Sequence, residues 1–506
     1  MRRTPSALVL VALLAAGCSG ASATYDPGSR APVEHHQPTP EPYRDPPAAT
    51  PYDGVTFQDP GVNPYVDPTR DRESTFGLDV DTASYGIARR FVADGNVPDP
   101  ASVRVEEFVN SFDQGYDVPE DDDFAIVADG GPTPFLSPDE VLLRIGIQAR
   151  DVSRHERPRA ALTFVIDVSG SMARDDRLEL VKQSLRLLVD ALHRDDSVAI
   201  VVYGTDARVA LDPTPASSRD AILRAIDTLN PEGSTNAEAG LRLGYRVASD
   251  QLIEGGINRV VLASDGVANV GSTDASSILQ RVGRRIDSGI QLVAIGVGMG
   301  NYNDALLEKL ADDGDGFYAY IDTVDEARKV FVEDLTGTID TIALDARAQV
   351  EFDPRTVDAY RLIGYENRAI ADHDFTNPDV PAGAIGAGHS VTALYALRLN
   401  EDAGTQDRIG TVRLRWKDPQ SNRDADTSRE IRVTNLAGSF NATDEHFKLD
   451  AVVAATAEVM RGSPWIDGYR LSDVVEVADG MSRELPRTDE VHDFLKMLDD
   501  AADLGH

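Results

Sequence analysis

Two hydrophobic patterns divide the folded part of the chain, and the first is a set of continuous apolar runs. Between Arg159 and about Asp334 these runs read L-T-F-V-I, V-A-I-V-V-Y, R-V-V-L-A and I-Q-L-V-A-I-G. Continuous runs are typical of parallel strands that are covered on both faces. Between them lie helical stripes, one of which is Leu178, Val181, Leu185, Leu188 and Leu192. Residues 159–338 are therefore predicted to form an α/β domain with a doubly wound, mainly parallel sheet.

The second pattern is alternation of apolar and polar residues, and it flanks the α/β domain on both sides. In V-L-L-R-I-G-I-Q-A, Leu143 and Ile145 face one way while Arg144 and Gln148 face the other, as in a half-buried antiparallel strand. The same alternation returns only after residue 340. The returning positions include Ala346, Ala348, Val350, Phe352, Val412, Leu414, Trp416, Ile431 and Val433. Residues 121–158 and 339–437 are predicted to build one β-sandwich into which the α/β domain is inserted.

Helical periodicity marks both outer parts of the folded region. Residues 73–120 are predicted to form a small helical N-terminal module that begins with a strand from Thr75 to Val80. Its helices are expected from about Ser84 to Ala93 and around Val105 to Phe112. Residues 438–506 are predicted to form a C-terminal helical region.

The predicted strand of the N-terminal module ends in D-V-D-T-A-S, which allows two interpretations. Asp79 and Asp81 resemble the nucleophile loop D-x-D-x-T of haloacid dehalogenase-type phosphatases, but Ala83 stands where that loop has Thr or Val. Asp81 or Thr82 as the cap of the following helix is the simpler interpretation. We therefore expect a structural role for this segment.

The first eighteen residues read as a secretion signal. Arg2 and Arg3 precede a short apolar stretch, and small residues then lead into Cys18, the only cysteine of the chain. This arrangement resembles a bacterial lipobox, in which the cysteine becomes acylated and the preceding peptide is removed, although Ala15 replaces the usual large aliphatic residue. Residues 19–72 are rich in proline and lack an apolar period, so they are predicted to be a disordered tether. The lipid would be the only membrane anchor.

Charge narrows the range of partners. The formal net charge is -36, with 85 acidic residues against 49 basic ones, so a polyanion such as nucleic acid would be repelled. An acidic surface suits cation binding, and it is equally typical of general solubility. Charge therefore excludes nucleic acid without choosing among the remaining functions.

Oxygen donors follow several of the predicted parallel strands. Asp167, Ser169 and Ser171 come directly after the first strand in D-V-S-G-S, Thr235 lies in G-S-T, and Asp265 follows a later strand in A-S-D-G. Ligands bind doubly wound sheets past the carboxyl ends of the strands, and Mg²⁺ prefers oxygen ligands. A D-x-S-x-S string alone is a common helix-capping pattern. With the Thr and the second Asp at strand ends, a cation site is favoured.

These motifs resemble the von Willebrand factor type A family, abbreviated VWA, whose domain has a Rossmann-like fold. The resemblance implies a metal ion-dependent adhesion site formed by Asp167, Ser169, Ser171, Thr235 and Asp265. Such a site would hold Mg²⁺ or Mn²⁺ directly through the hydroxyls, with the carboxylates acting largely through water, and would accept an Asp or Glu carboxylate from a partner protein. The strings F-G-L-D-V-D-T-A-S-Y and G-V-G-M-G-N-Y-N-D also resemble a bacterial lipoprotein subfamily whose C-terminal domain has no assigned role.

Enzyme motifs are missing from the sequence. It contains no G-x-S-x-G elbow, H-E-x-x-H helix or P-loop, so no catalytic residue is predicted. The expected function is divalent-cation-dependent protein binding by a protein anchored in the bacterial cell envelope, on the outer membrane or cell surface. The alternative is a constitutive envelope scaffold in which the metal is structural. The partner, the membrane leaflet and the oligomeric state are not determined by the sequence.

Overall fold

A computed structural model describes residues 57–505 with several gaps. The residues outside the description within this range are 79–80, 153–156, 267–288, 300–303, 313, 315, 335–340, 379, 381, 420 and 467. The described chain contains three β-sheets, of which one belongs to the central domain and two form a sandwich.

The central sheet is parallel except at one edge. Its strands are β4 (Ala160–Asp167), β5 (Ser197–Tyr203), β6 (Ala207–Pro215), β7 (Ile257–Ser264), β8 (Gln291–Val297) and β9 (Tyr318–Ile321). They lie in the order β6-β5-β4-β7-β8-β9, and only β6 is antiparallel to its neighbour. The chain leaves β4 toward β5 and later returns to pair β7 with the other side of β4. The order therefore reverses at β4, whose carboxyl end is the expected ligand position.

Helices cover both faces of this sheet. They are α3 (Arg177–Ala191), α4 (Arg219–Asp227), α5 (Ala237–Asp250), α6 (Asp304–Asp312) and α7 (Val324–Arg328). Along β4, Phe164 and Ile166 enter the core on one face and Val165 enters the core on the other. Each such fully buried aliphatic or aromatic side chain contributes roughly 1.5–3 kcal/mol. The continuous apolar runs thus correspond to strands buried on both sides, and the predicted α/β class is confirmed.

The β-sandwich combines segments from before and after the central domain. One sheet contains β1 (Glu73–Gly77), β10 (Thr341–Phe352), β12 (Gly383–Gly386), β14 (Arg408–Lys417) and β15 (Asp424–Arg432). The other contains β2 (Phe124–Gly131), β3 (Glu140–Ala149), β11 (Val357–Ile363) and β13 (Ser390–Leu399). Strand β3 pairs antiparallel with β13, with Leu143 opposite Tyr395. The sandwich strands thus come from segments on both sides of the central domain in the sequence.

The two helical regions at the ends of the fold share one core. The helices are α1 (Ala83–Ala93), α2 (Val105–Val109), α8 (Glu445–Met460), α9 (Leu471–Gly480) and α10 (Asp489–Asp503). Tyr85 on α1 contacts Phe112 at 5.1 Å between ring centroids, and Phe112 contacts Phe494 on α10 at 5.3 Å. The prediction of a separate N-terminal module is therefore corrected, because β1 joins the sandwich and α1 packs with the C-terminal helices.

The predicted polar face of β3 is also corrected. Arg144 and Gln148 are only 3% and 5% exposed, because the polar face of the strand is covered. Arg144 donates to Asp450 of α8 at 3.2 Å, so a C-terminal helix lies over this position. Alternation in the sequence therefore reflects a strand with one apolar core and one charged interface.

The C-terminal boundary of the predicted tether, residues 19–72, is placed too late in the sequence. Val66 pairs with Tyr360 of β11, and the Asn63 side chain donates to the carbonyl oxygen of Gly364 at 2.8 Å. Part of the predicted tether, from Asn63 to Arg72, thus already contacts the sandwich, while residues 1–56 lie outside the described residues. Among the described helices, none combines the length and apolar character needed to cross a membrane.

The D-V-D-T-A-S segment has a structural role that differs from capping. Thr82 occupies the cap position of α1 without a side-chain hydrogen bond, and the α1 backbone N–H of Ser84 is bound by Glu107 at 2.8 Å. Asp81 accepts the backbone N–H of Tyr318 at 2.8 Å and a hydrogen bond from Arg368 at 2.9 Å. Asp81 therefore ties the N-terminal segment to the central domain and the sandwich. Asp79 lies outside the described residues.

Candidate metal centre

The first loop of the site folds around the carboxylate at the end of β4. The backbone N–H of Ser169 donates to Asp167 Oδ1 at 2.8 Å, which turns the chain back over the strand. The hydroxyl oxygens of Ser169 and Ser171 lie 3.0 Å apart. A 3₁₀ segment, Gly170–Asp176, then leads into α3. The D-x-S-x-S spacing therefore places one carboxylate and two hydroxyls together.

The second loop is joined to the first through Ser264, the last residue of β7. Its hydroxyl donates to Asp167 Oδ2 at 2.9 Å and accepts the backbone N–H of Gly266 at 3.1 Å. Gly266 has φ of +98°, a conformation that favours glycine. Because Asp265 stands between these two residues, its position beside the D-x-S-x-S loop is set by the same hydrogen bonds.

The third loop carries Thr235 and is held to the first by its backbone. The N–H of Gly170 donates to the carbonyl oxygen of Gly233 at 3.1 Å, and the N–H of Glu232 donates to that of Val168. A Cβ on Gly233 would lie 2.6 Å from Thr205 Oγ1, so only glycine fits this approach. Thr235 is 3% exposed. The structure thus brings the loops of all the predicted donors to the carboxyl end of β4.

Burial controls the electrostatics of the site. Asp167 is fully buried and Asp265 is 1% exposed. The pKa of Asp167 is raised to about 6, first by burial and second by the charge of Asp265, while hydrogen bonds from Ser169 and Ser264 act in the opposite direction. A buried carboxyl whose charge is incompletely compensated is stabilised by a nearby cation. The Asp167 environment therefore fits a cation.

The donor set favours a hard cation. Hydroxyl and carboxylate oxygens are ligands that Mg²⁺ and Mn²⁺ accept, whereas softer metals prefer nitrogen or sulfur. No group of three or more His, Cys, Asp or Glu residues suited to a metal occurs among the described residues. The site described here differs from such a group because three of its five predicted donors are hydroxyls.

Two residues of the site were not predicted. Ser264 fixes Asp167, and the guanidinium of Arg177 donates to Asp265 Oδ2 at 2.9 Å. Nothing in the sequence singles out Ser264 except its place beside Asp265. Arg177 could have been noticed, because it is the first residue of α3 and a positive charge is unfavourable at a helix N-terminus unless it has a partner. The predicted lipidation site, Cys18, lies outside the described residues.

Comparison with known families agrees with this geometry. Residues 161–334 match the von Willebrand factor type A domain, and residues 52–144 match a family described as von Willebrand factor. Residues 337–504 match the C-terminal domain of the uncharacterized protein YfbK. The protein therefore contains a VWA domain, a class that is generally involved in protein interaction.

Most of the chain matches a single known protein. The chain is 38% identical over 450 residues to the uncharacterized protein YfbK of Escherichia coli. The aligned region covers 84% of this chain and 77% of YfbK. The chain belongs to the family of YfbK. It is also 26% identical over 285 residues to the uncharacterized protein sll0103 of Synechocystis, covering 55% of this chain and 66% of that protein. A solved von Willebrand factor type A protein from Catenulispora acidiphila has a TM-score of 0.43 at 18% identity, covering 76% and 91% of the two chains.

Proposed function

We propose that this protein binds a partner protein through a divalent cation, Mg²⁺ or Mn²⁺, and performs no catalysis. The observation that carries the proposal is the junction of three loops at the carboxyl end of β4, where Asp167 is bound by Ser169 and Ser264. Ser169, Ser171 and Thr235 would hold the cation through their hydroxyls. Asp167 and Asp265 would balance its charge.

The partner would supply a carboxylate. The donors that would touch the cation directly are neutral hydroxyls, with the carboxylates acting largely through water, so the cation would remain electrophilic. An Asp or Glu side chain matches it in charge and hardness. One such bond would fix the position of the partner on the metal. Acid–base catalysis at this site is not part of the proposal, since the donor set contains no histidine, lysine or cysteine.

The location of the protein is part of the same proposal. Acylation of Cys18 would anchor the chain in a membrane of the bacterial envelope, on the outer membrane or cell surface. The proline-rich residues before 57 would then separate the binding site from the lipid surface. Mass spectrometry of the mature protein tests this point, because an unmodified Cys18 would remove the anchor.

A constitutive scaffold with a structural cation is the second candidate. It is favoured by burial, because Asp167, Ser169, Thr235 and Asp265 are each at most 3% exposed. Affinity purification in the presence and absence of EDTA separates the two functions. A partner that dissociates with EDTA indicates reversible cation-dependent binding, whereas a stoichiometric partner that resists EDTA indicates assembly.

Calorimetric titration of Mg²⁺ and Mn²⁺ into the purified chain tests the site itself. We expect saturable binding that Asp167→Ala abolishes, because this change removes the carboxylate around which the first loop folds. Asp190→Ala is the matched control, since Asp190 pairs with Arg219 on the surface of the same domain and is 56% exposed. Absence of binding in the unaltered protein would contradict the proposal.

A further inference from the structure

Arg177 is a buried cation at the edge of the candidate metal centre. It is 3% exposed and begins α3, directly after the 3₁₀ segment that carries Ser171. Its guanidinium carries a positive charge. A cation that enters the centre therefore meets a like charge.

The contacts of Arg177 hold it between two strand ends. Its Nη1 donates to Asp265 Oδ2 after β7 at 2.9 Å, and its Nη2 donates to the carbonyl oxygen of Met299 after β8. Gly298 has φ of +71°, and a Cβ there would lie 2.5 Å from the Arg177 Nε. The loop after β8 thus leaves room for the guanidinium to reach Asp265.

The two carboxylates of the centre are bound in different ways. Asp167 accepts hydrogen bonds from neutral groups, namely the Ser169 N–H and the Ser264 hydroxyl. Asp265 accepts its hydrogen bond from a positive charge. The formal charges of Asp167, Asp265 and Arg177 sum to -1, so a bound divalent cation would leave the centre with a net charge of +1.

From this charge balance we propose that Arg177 makes cation binding depend on an anionic ligand. Arg177 neutralises Asp265 and repels the metal, so the cation alone binds weakly. An incoming carboxylate restores neutrality, and the cation and the carboxylate then bind cooperatively. By thermodynamic linkage, each increases the affinity of the other by the same factor. Arg177 is a positioning residue in this scheme, and the scheme rests on the proposed function of the centre.

Binding of Mn²⁺ to the purified full chain, followed by the electron paramagnetic resonance signal of free Mn²⁺, tests the proposal with acetate as the carboxylate probe. We expect acetate to tighten Mn²⁺ binding to the unaltered protein. Arg177→Gln should bind Mn²⁺ on the order of tenfold more tightly without acetate, because one buried positive charge is gone. The effect of acetate should shrink in this variant. Arg177→Lys keeps the charge and should resemble the unaltered protein.

Two results would overturn the proposal. One is equal Mn²⁺ affinity of the Gln and Lys variants, which would indicate a purely structural role. The other is an unaltered protein whose Mn²⁺ affinity does not respond to acetate, and this arm requires no variant. If the unaltered protein binds no Mn²⁺ under either condition, the proposed function fails. The inference then depends on Arg177→Gln alone, where gained binding supports it and absent binding refutes it.

Discussion

Two clusters in this protein pair a buried arginine with aspartate, but they differ in their position in the fold and in the other groups present. At the candidate metal centre, Arg177 and two carboxylates lie among loops that follow parallel strands, together with hydroxyl groups. At the junction of the sandwich and the C-terminal helices, Arg144 of β3 is bound by three carboxylates and lies 5.3 Å from the ring centroid of Tyr116.

The Arg144 cluster joins elements that are distant in the sequence. Its guanidinium donates to Asp129 Oδ2 of β2 at 2.6 Å, to Asp444 before α8 at 3.1 Å and to Asp450 within α8 at 3.2 Å. The Arg144 cluster has three carboxylates for one arginine, and none of these three contacts involves a hydroxyl group. The two clusters therefore differ in donor chemistry and in position, because only the candidate metal centre combines hydroxyl groups with carboxylates at the carboxyl end of a strand.

Replacing the central arginine of the second cluster should have the largest effect. Arg144→Met leaves the buried carboxyl group of Asp450 without its counter-ion, so we expect a loss of about 3–5 kcal/mol in the free energy of unfolding. Arg398→Met is the matched control, because Arg398 also faces three carboxylates but is 40% exposed. Its loss should be at most about 1 kcal/mol. Urea denaturation measures both, and equal losses would contradict the distinction by burial.

The pH dependence of stability should be the next largest effect. Burial raises the pKa of Asp450 to about 7, although Arg144 acts to lower it. A carboxyl whose pKa is higher in the folded state binds protons more tightly there, so its contribution to stability increases as the pH falls below 7. Between pH 8 and pH 5.5 this gain should be about 2 kcal/mol. Subtracting the urea denaturation profile of Asp450→Asn isolates it, and parallel profiles would refute the raised pKa.

The smallest effect should come from the support of the metal centre. Ser264→Ala removes the hydroxyl that orients Asp167, and loss of such a supporting group typically lowers metal affinity at least about tenfold. Ser249→Ala is the control, since its hydroxyl binds the Tyr245 carbonyl oxygen within α5, away from the strand ends. Calorimetry with Mn²⁺ compares the two variants. Unchanged affinity in Ser264→Ala would show that Asp167 is held well enough by Ser169 alone.

Local pattern predicted the site better than it predicted the interfaces. The D-x-S-x-S motif and the donors after later strands could be placed together, because parallel strands present their carboxyl ends at one edge. Arg177 was missed because its partner Asp265 lies 88 residues away and the interaction leaves no periodic signal. The same reason explains the wrong assignment of Arg144 to an exposed face.

The sequence by itself determined the α/β class, and it also predicts the insertion of this domain into a sandwich and the donor set of the candidate metal centre. Each of these follows from short-range periodicity or from residues adjacent to strands. Tertiary structure alone decided that α1 shares a core with α10, that the segment from Asn63 to Arg72 lies on the sandwich and that both arginines are buried. These features depend on contacts between segments that are far apart in the sequence, and their burial and charge balance exist only after the chain has folded.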